Sequence, residues 1–132
     1  MKRVLVFLWV VIGLVSCGGN GGLPADTVVV EMHDSGFVPS RLEINVGTTV
    51  RWRNTTGVAH TVTADSIQAR DPENVLLPEG AESFDSERIE PGGVFEYTFT
   101  VPGTYRYFSV PYEGLGMVGE LVVEPEDKNG QE

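Results

Sequence analysis

The chain has 132 residues, a length that favours one folded domain rather than several. Nineteen acidic and nine basic residues give it a formal net charge of −10 at pH 7. Nucleic-acid binding depends on a basic surface, so we expect no nucleic-acid partner. The single cysteine allows no internal disulfide, and the fold must therefore depend on its core alone.

The first residues have the pattern of an export signal. Lys2 and Arg3 precede an apolar run over residues 4–15 that only Gly13 interrupts. A transmembrane helix needs about 20 apolar residues, so this run is too short to span a bilayer. A positive start, a short apolar run and a small-residue exit are typical of a secretory signal peptide. We predict a lipoprotein signal peptide over residues 1–16.

The end of this signal, Leu-Val-Ser-Cys over residues 14–17, resembles the bacterial lipobox. The resemblance implies that Cys17 becomes the first mature residue, carries the lipid and attaches the protein to the membrane. The protein would then be an extracytoplasmic lipoprotein, at the outer membrane or the periplasmic face in a cell with two membranes. The alternative is a plain signal peptide followed by an incidental cysteine.

The rest of the chain divides into three parts. Residues 17–25 are rich in glycine and predict a flexible tether, and residues 126–132 predict a disordered tail. Between them, apolar residues recur with a period of two: Leu42 and Ile44 are separated by Glu43, and residues 95–99 repeat the pattern. Short strands separated by Gly- and Pro-containing turns predict an all-β, antiparallel Greek-key β-sandwich over residues 26–125.

The alternation also predicts which side chains form the core. The expected interior residues are Trp52, Leu42, Ile44, Phe95, Tyr97, Phe99, Tyr105, Tyr107 and Val122. Residues 66–83 interrupt the pattern and predict a long surface loop with one helical turn. A loop of that length is uncommon in a compact domain and is often functional.

The segment over residues 105–123 contains Ser109, Tyr112 and Met117. Their spacing resembles the copper-ligand loop Cys-x-x-His-x-x-x-x-Met of plastocyanin and its relatives. Four upstream segments resemble the same family: residues 36–40, 47–54, 58–62 and 90–99. The resemblance covers nearly all of the predicted domain and implies a cupredoxin-like sandwich with a blue copper site.

The resemblance assigns the four ligand positions residue by residue. His60 stands at the first and Met117 at the fourth, but Ser109 stands where the cysteine belongs and Tyr112 where the second histidine belongs. A type 1 copper site needs two imidazoles and a thiolate in a plane, with a weak axial methionine. The fold and the loop length are expected to match the family, whereas two of the four ligand side chains do not. The sequence therefore leaves it undecided whether copper binds.

Each of these residues also has an ordinary structural interpretation. His60 would be hydrogen-bonded at the end of the sandwich, Met117 would pack between loops, and Ser109 or Tyr112 would satisfy a former metal pocket. His33 is expected to be a solvated strand-end histidine, with an added metal ligand as the alternative. Asn54 is expected to tie the His60 loop through side-chain to backbone hydrogen bonds.

Two functions are therefore open. The first is a non-redox binding module that acts through its acidic surface or the loop end around Tyr112. The second is a copper-binding electron-transfer protein of the plastocyanin-like family, with a redox partner at the same end. We predict no enzyme, because Ser109 and His60 come with no recognisable oxyanion hole and no other nucleophile has a plausible base.

The lipobox predicts the outcome of a labelling experiment. Radiolabelled fatty acid should enter the wild-type protein and should not enter Cys17→Ala, because the thiol is the acceptor. Equal labelling of both proteins would contradict lipid attachment at Cys17.

Overall fold

The structure, a computed structural model, describes residues 26–126. The predicted signal peptide, the predicted tether and all but the first residue of the predicted tail lie outside them. No helix in the described part of the chain is long and apolar enough to cross a membrane. Its strands are β1 Thr27–His33, β2 Gly36–Val38, β3 Arg41–Asn45, β4 Thr49–Asn54, β5 Thr63–Ala64, β6 Phe84–Asp85, β7 Val94–Thr98, β8 Gly103–Phe108 and β9 Val118–Glu124, with 3-10 turns at Pro72–Asn74 and Val110–Leu115.

The strands form two sheets, a four-stranded one in the order β2-β1-β4-β7 and a five-stranded one in the order β3-β9-β8-β5-β6. This confirms the predicted all-β sandwich. The expected antiparallel pairing is wrong for two pairs, since β1 with β4 and β3 with β9 run parallel. Alternating apolar residues show which face of a strand is buried, but they carry no information on the direction of a partner that is distant in sequence.

The core lies between the sheets and is rich in aromatic side chains. Trp52 is fully buried and its ring meets Tyr107 edge-on at a centroid distance of 5.4 Å. Five of the nine predicted core residues are buried: Trp52, Ile44, Phe99, Tyr105 and Tyr107. Three more pack against that core while partly exposed: Leu42, Phe95 and Tyr97. The alternation therefore identified the buried face of most strands.

The ninth prediction, Val122, is wrong. Leu121 and Val123 are buried, whereas Val122 lies on the other face of β9. Residues 121–123 are all apolar, so the alternation does not show which of them face the core. Gly119 determines this instead, because a Cβ atom there would lie 2.4 Å from the ring of Tyr107. The tyrosine ring lies directly on the glycine backbone, so Gly119 and every second residue after it face the core.

The predicted long loop, residues 66–83, contains the 3-10 turn Pro72–Asn74. Pro at the start of this turn and the Asp71 carboxylate, which accepts a hydrogen bond from Glu73 N, explain why the turn forms there. Leu76 then pairs with Arg106 of β8 through two backbone hydrogen bonds of 2.9 and 3.2 Å. The loop is thus fastened to the five-stranded sheet.

The core makes a quantitative prediction at Phe99, which is fully buried and contacts Trp52, Phe84, Tyr97 and Tyr105. Phe99→Ala should lower the free energy of unfolding by about 3–5 kcal/mol, because it removes a large buried ring and leaves a cavity. Chemical denaturation measures this loss. Val94→Ala, at an exposed site, is the matched control and should change stability by less than about 0.5 kcal/mol. A loss below about 1 kcal/mol for Phe99→Ala would contradict this packing.

Candidate functional site

The four positions aligned with copper ligands meet at one end of the sandwich. His60 follows β4 and is held by two backbone hydrogen bonds to Ile89, of 2.8 and 3.1 Å. Ser109 directly follows β8, and the loop over residues 109–117, here called the ligand loop, folds back before β9. Ser109 N donates to Met117 O at 3.1 Å, and Met117 N donates to Tyr112 O at 3.2 Å. The backbone alone therefore closes the ligand loop.

The imidazole of His60 and the hydroxyl of Ser109 form a buried hydrogen-bonded pair. Both side chains are inaccessible to solvent, and His60 Nδ1 lies 3.2 Å from Ser109 Oγ. Ser109 Oγ also accepts a hydrogen bond from Thr61 N at 3.3 Å. The Ser109 hydroxyl thus hydrogen-bonds with two groups of the loop between β4 and β5. This agrees with the interpretation that Ser109 supplies hydrogen bonds to buried polar atoms of a former metal pocket.

Burial also governs the charge of His60. It lowers the pKa of His60 below the ordinary value because it disfavours the imidazolium, and the carboxylate of Asp34 opposes this effect. Burial therefore favours the neutral imidazole. Its second ring nitrogen, Nε2, is buried and has no hydrogen-bond partner among residues 26–126.

Tyr112 contacts His60, and Met117 lies next to Ser109 through a backbone hydrogen bond. The Tyr112 ring lies over the imidazole at a centroid distance of 4.7 Å, with 46° between the planes. Tyr112 is half-buried, whereas Met117 is fully buried. Gly116 ends the 3-10 turn Val110–Leu115 with a φ of 85°, a left-handed conformation that favours glycine. The aromatic ring lies over His60, as expected for a group that closes a former metal pocket.

The predicted role of Asn54 is confirmed. Its side-chain amide donates to Val58 O at 2.8 Å and to Ile89 O at 3.0 Å, and its Oδ1 accepts from Thr56 N and Thr56 Oγ1. Asn54 is buried, and these four bonds use the full capacity of its amide. The loop that carries His60 is therefore fixed on both sides.

His33 takes no part in this cluster of contacts. Its side chain is half exposed, and its Nε2 lies 3.2 Å from a carboxylate oxygen of Glu31 on the same strand. This agrees with the predicted solvated strand-end histidine, and an added metal ligand at His33 stays the untested alternative.

Two residues that contribute to the site were missed from the sequence. Thr61 Oγ1 accepts a hydrogen bond from Val110 N at 2.8 Å and so joins the His60 loop to the ligand loop. Glu113 is buried within the ligand loop and accepts hydrogen bonds from Arg70 N, Asp71 N and the Asn74 amide at 2.9–3.0 Å. The one sequence signal for Glu113 was that it is the single charged residue in the ligand loop.

The donor set at the four positions differs from that of a type 1 copper site. It offers one imidazole, one hydroxyl, one phenol and one thioether, whereas the blue copper plane takes two imidazoles and a thiolate. Among residues 26–126, no group of three or more His, Cys, Asp or Glu side chains could hold a metal ion. The assignment of His60 and Met117 as metal ligands stays a prediction.

The two-sheet sandwich with its ligand loop between β8 and β9 defines a cupredoxin-like protein. Residues 25–124 match the model of the copper-binding proteins of the plastocyanin/azurin family. The chain belongs to this family, whose members are electron-transfer proteins. The fold agrees with solved structures: an oxidized amicyanin mutant aligns with a TM-score of 0.61 and 25% identity over 79% of this chain and 87% of that one.

Sequence relatives point the same way. Chloroplastic plastocyanin of Pisum sativum is 29% identical over 121 residues, which cover 85% of this chain and 69% of that protein. Chloroplastic plastocyanin of Chlamydomonas reinhardtii is 34% identical over 107 residues, 76% of this chain and 68% of the relative. Plastocyanin of Scenedesmus fuscus is 34% identical over 106 residues, 75% of this chain and 100% of the relative.

Glu113 makes stability depend on pH in a defined direction. Burial raises the pKa of its carboxyl, but hydrogen bonds from Arg70, Asp71 and Asn74 outweigh it, and the pKa lies below the ordinary 4.5. As the pH falls below that value, the unfolded chain takes up this proton first, and the stabilisation is lost. Glu113→Gln should therefore cost about 2 kcal/mol at neutral pH and progressively less below pH ~4.

Denaturant unfolding of both proteins across this pH range measures the difference. Glu79→Gln, which changes an exposed carboxylate on the same long loop, should show no such trend. A cost of Glu113→Gln that is constant from neutral to acidic pH would contradict a carboxylate held in its ionised form.

Proposed function

We propose that the protein is an exported, lipid-anchored module of the cupredoxin fold with a degenerate type 1 copper site, which binds a partner without redox chemistry. The observation that carries this proposal is the hydrogen bond of 3.2 Å between His60 Nδ1 and Ser109 Oγ. In a copper-binding relative, the family resemblance places a copper ion between the corresponding histidine and cysteine side chains. The role is binding rather than catalysis or electron transfer.

Ligand chemistry supports the loss of copper. A serine hydroxyl ionises far above neutral pH and lacks the polarisable sulfur that suits copper(I). A tyrosine phenol has a reference pKa of about 10, so a metal must displace its proton before it can bind as phenolate. His60 and Met117 alone supply two neutral donors. Together these four groups offer copper far less than two imidazoles and a thiolate.

The arrangement also competes with a metal for the same atoms. Any ion bound by His60 Nδ1 must first break the bond to Ser109, and Thr61 N would then lose part of its hydrogen bonding. Tyr112 covers the imidazole from the side of the ligand loop. Because His60 Nδ1 already has Ser109 Oγ as its partner, a metal ion gains less at this nitrogen than at an open ligand.

The binding surface in this proposal is the end of the sandwich around Tyr112, together with the acidic surface of the domain. Tyr112 is half-buried, and Leu115 of the same loop is 69% exposed. An amphipathic tyrosine beside an exposed apolar side chain suits contact with a protein partner. Lipid at Cys17 would keep this surface near the membrane, on the extracytoplasmic side.

The second candidate function is electron transfer through copper, which membership of the copper-binding family favours. The loop length and the first and fourth ligand positions support it as well. The two functions differ in one measurable property, the affinity of the folded protein for copper.

A copper titration separates them. The Cys17→Ser variant should be used, so that no thiol in the chain can contribute a copper–thiolate band. The metal-free protein should stay colourless with copper(II) and should keep its mass in native mass spectrometry. Tight uptake of one copper that cycles reversibly between oxidation states would contradict the proposal and establish the electron-carrier function.

A reconstruction tests whether only ligand chemistry is missing. In the same background, Ser109→Cys combined with Tyr112→His should restore an intense blue copper band, because the trigonal plane would again have all three strong ligands. Each single variant is the matched control and should show much weaker colour. A double variant that folds, binds copper and stays colourless would show that the ligand loop has left the family geometry.

A further inference from the structure

The buried carboxylate of Glu113 makes several polar contacts between the ligand loop and the long loop. Its oxygens accept hydrogen bonds from Arg70 N, Asp71 N and Asn74 Nδ2, all at 2.9–3.0 Å. Hydrogen bonds to an ionised acceptor are stronger than neutral ones, and burial shields them from water. The carboxylate therefore joins two loops that are about 40 residues apart in sequence.

The long loop is itself fixed on its other side. Arg106 Nη1 donates to Glu73 O at 2.8 Å, and the backbone of Arg106 pairs with Leu76. Arg106 belongs to β8, the strand that leads directly into the ligand loop. Residues 70–76 are therefore hydrogen-bonded to β8 on one side and to Glu113 on the other, an arrangement here called the brace. A brace anchored on a sheet can hold a loop in one conformation.

We infer that Glu113 is a positioning residue, whose contacts with residues 70–74 hold the ligand loop so that the Tyr112 ring stays on His60. Tyr112 and Glu113 are neighbours in the chain, so a fixed Glu113 carboxylate restricts the backbone that carries the ring. The long loop is then part of the site rather than a separate surface. This inference rests on the proposed function only in taking Tyr112 as the group that closes the site.

The chain offers a sensitive probe, since His60 and His33 are its only histidines. An aromatic ring 4.7 Å from the imidazole shifts the proton resonances of His60, whereas the exposed His33 serves as an internal reference. In Glu113→Ala, the His60 ring signals of the metal-free protein should move toward those of Tyr112→Leu, and the His33 signals should stay in place. Amide exchange at Arg70 and Asp71 should become about tenfold faster.

Two further variants keep the test independent of a general loss of stability. Glu113→Gln retains one acceptor oxygen and should restore part of the wild-type His60 shift. Asn74→Ala removes one donor and should move the same signals less than Glu113→Ala does. Glu79→Ala, at an exposed position of the long loop, is the matched control and should leave both histidines unchanged.

If Glu113→Ala fails to fold, the His60 shift in Asn74→Ala decides the question alone. Unchanged His60 signals in the folded Glu113 or Asn74 variants would overturn the inference. This holds even if the amides of Arg70 and Asp71 exchange faster, because the Tyr112 ring would then have kept its position without these contacts. The copper titration is independent of this result, so failure of the inference and failure of the proposed function can be told apart.

Discussion

The end of this sandwich is governed by one constraint, that every polar atom buried there needs a partner. In a copper protein the metal supplies that partner for the ligand side chains. Here the Ser109 hydroxyl meets both His60 Nδ1 and Thr61 N, and the Glu113 carboxylate meets three N–H donors of the long loop. His60 Nε2 is an exception, because it is buried without a hydrogen-bond partner among residues 26–126, and the neutral imidazole that burial favours limits the cost.

The frame can persist while its ligand chemistry changes, because different interactions determine the two. The ligand loop is closed by backbone bonds between Ser109, Tyr112 and Met117, which do not depend on the side chains at those positions. The sandwich below it depends on the packing of Trp52 against Tyr107 and on the contact of Tyr107 with Gly119. Membership of a copper-binding family therefore establishes the fold of this chain, whereas its own site residues decide what the site can do.

The sequence was informative where physical patterns are local. Alternation placed Phe99 and Tyr107 inside, and the resemblance to the plastocyanin family assigned His60, Ser109, Tyr112 and Met117 to one site. It failed where the answer depends on distant partners. The apolar run around Val122 hid the phase of β9, and nothing local shows that β3 runs parallel to β9.

The contribution of Glu113 was hidden for the same reason. A glutamate in a loop normally faces water, and its donors come from a separate segment of the chain. The electrostatic effect of Asp34 on the pKa of His60 likewise depends on the tertiary fold. The family resemblance therefore identified the residues at the four ligand positions, whereas the contacts of Glu113 and Thr61 depend on the tertiary fold.

The proposed function requires that Ser109 Oγ, rather than a metal ion, is the partner of His60 Nδ1. The most direct measurement is anomalous scattering at the copper edge from crystals of the Cys17→Ser protein grown with excess copper. We expect no copper peak among His60, Ser109, Tyr112 and Met117, with Ser109 Oγ still in hydrogen-bond contact with His60 Nδ1. A copper peak bonded to His60 Nδ1, with Ser109 displaced from that nitrogen, would contradict the proposed function.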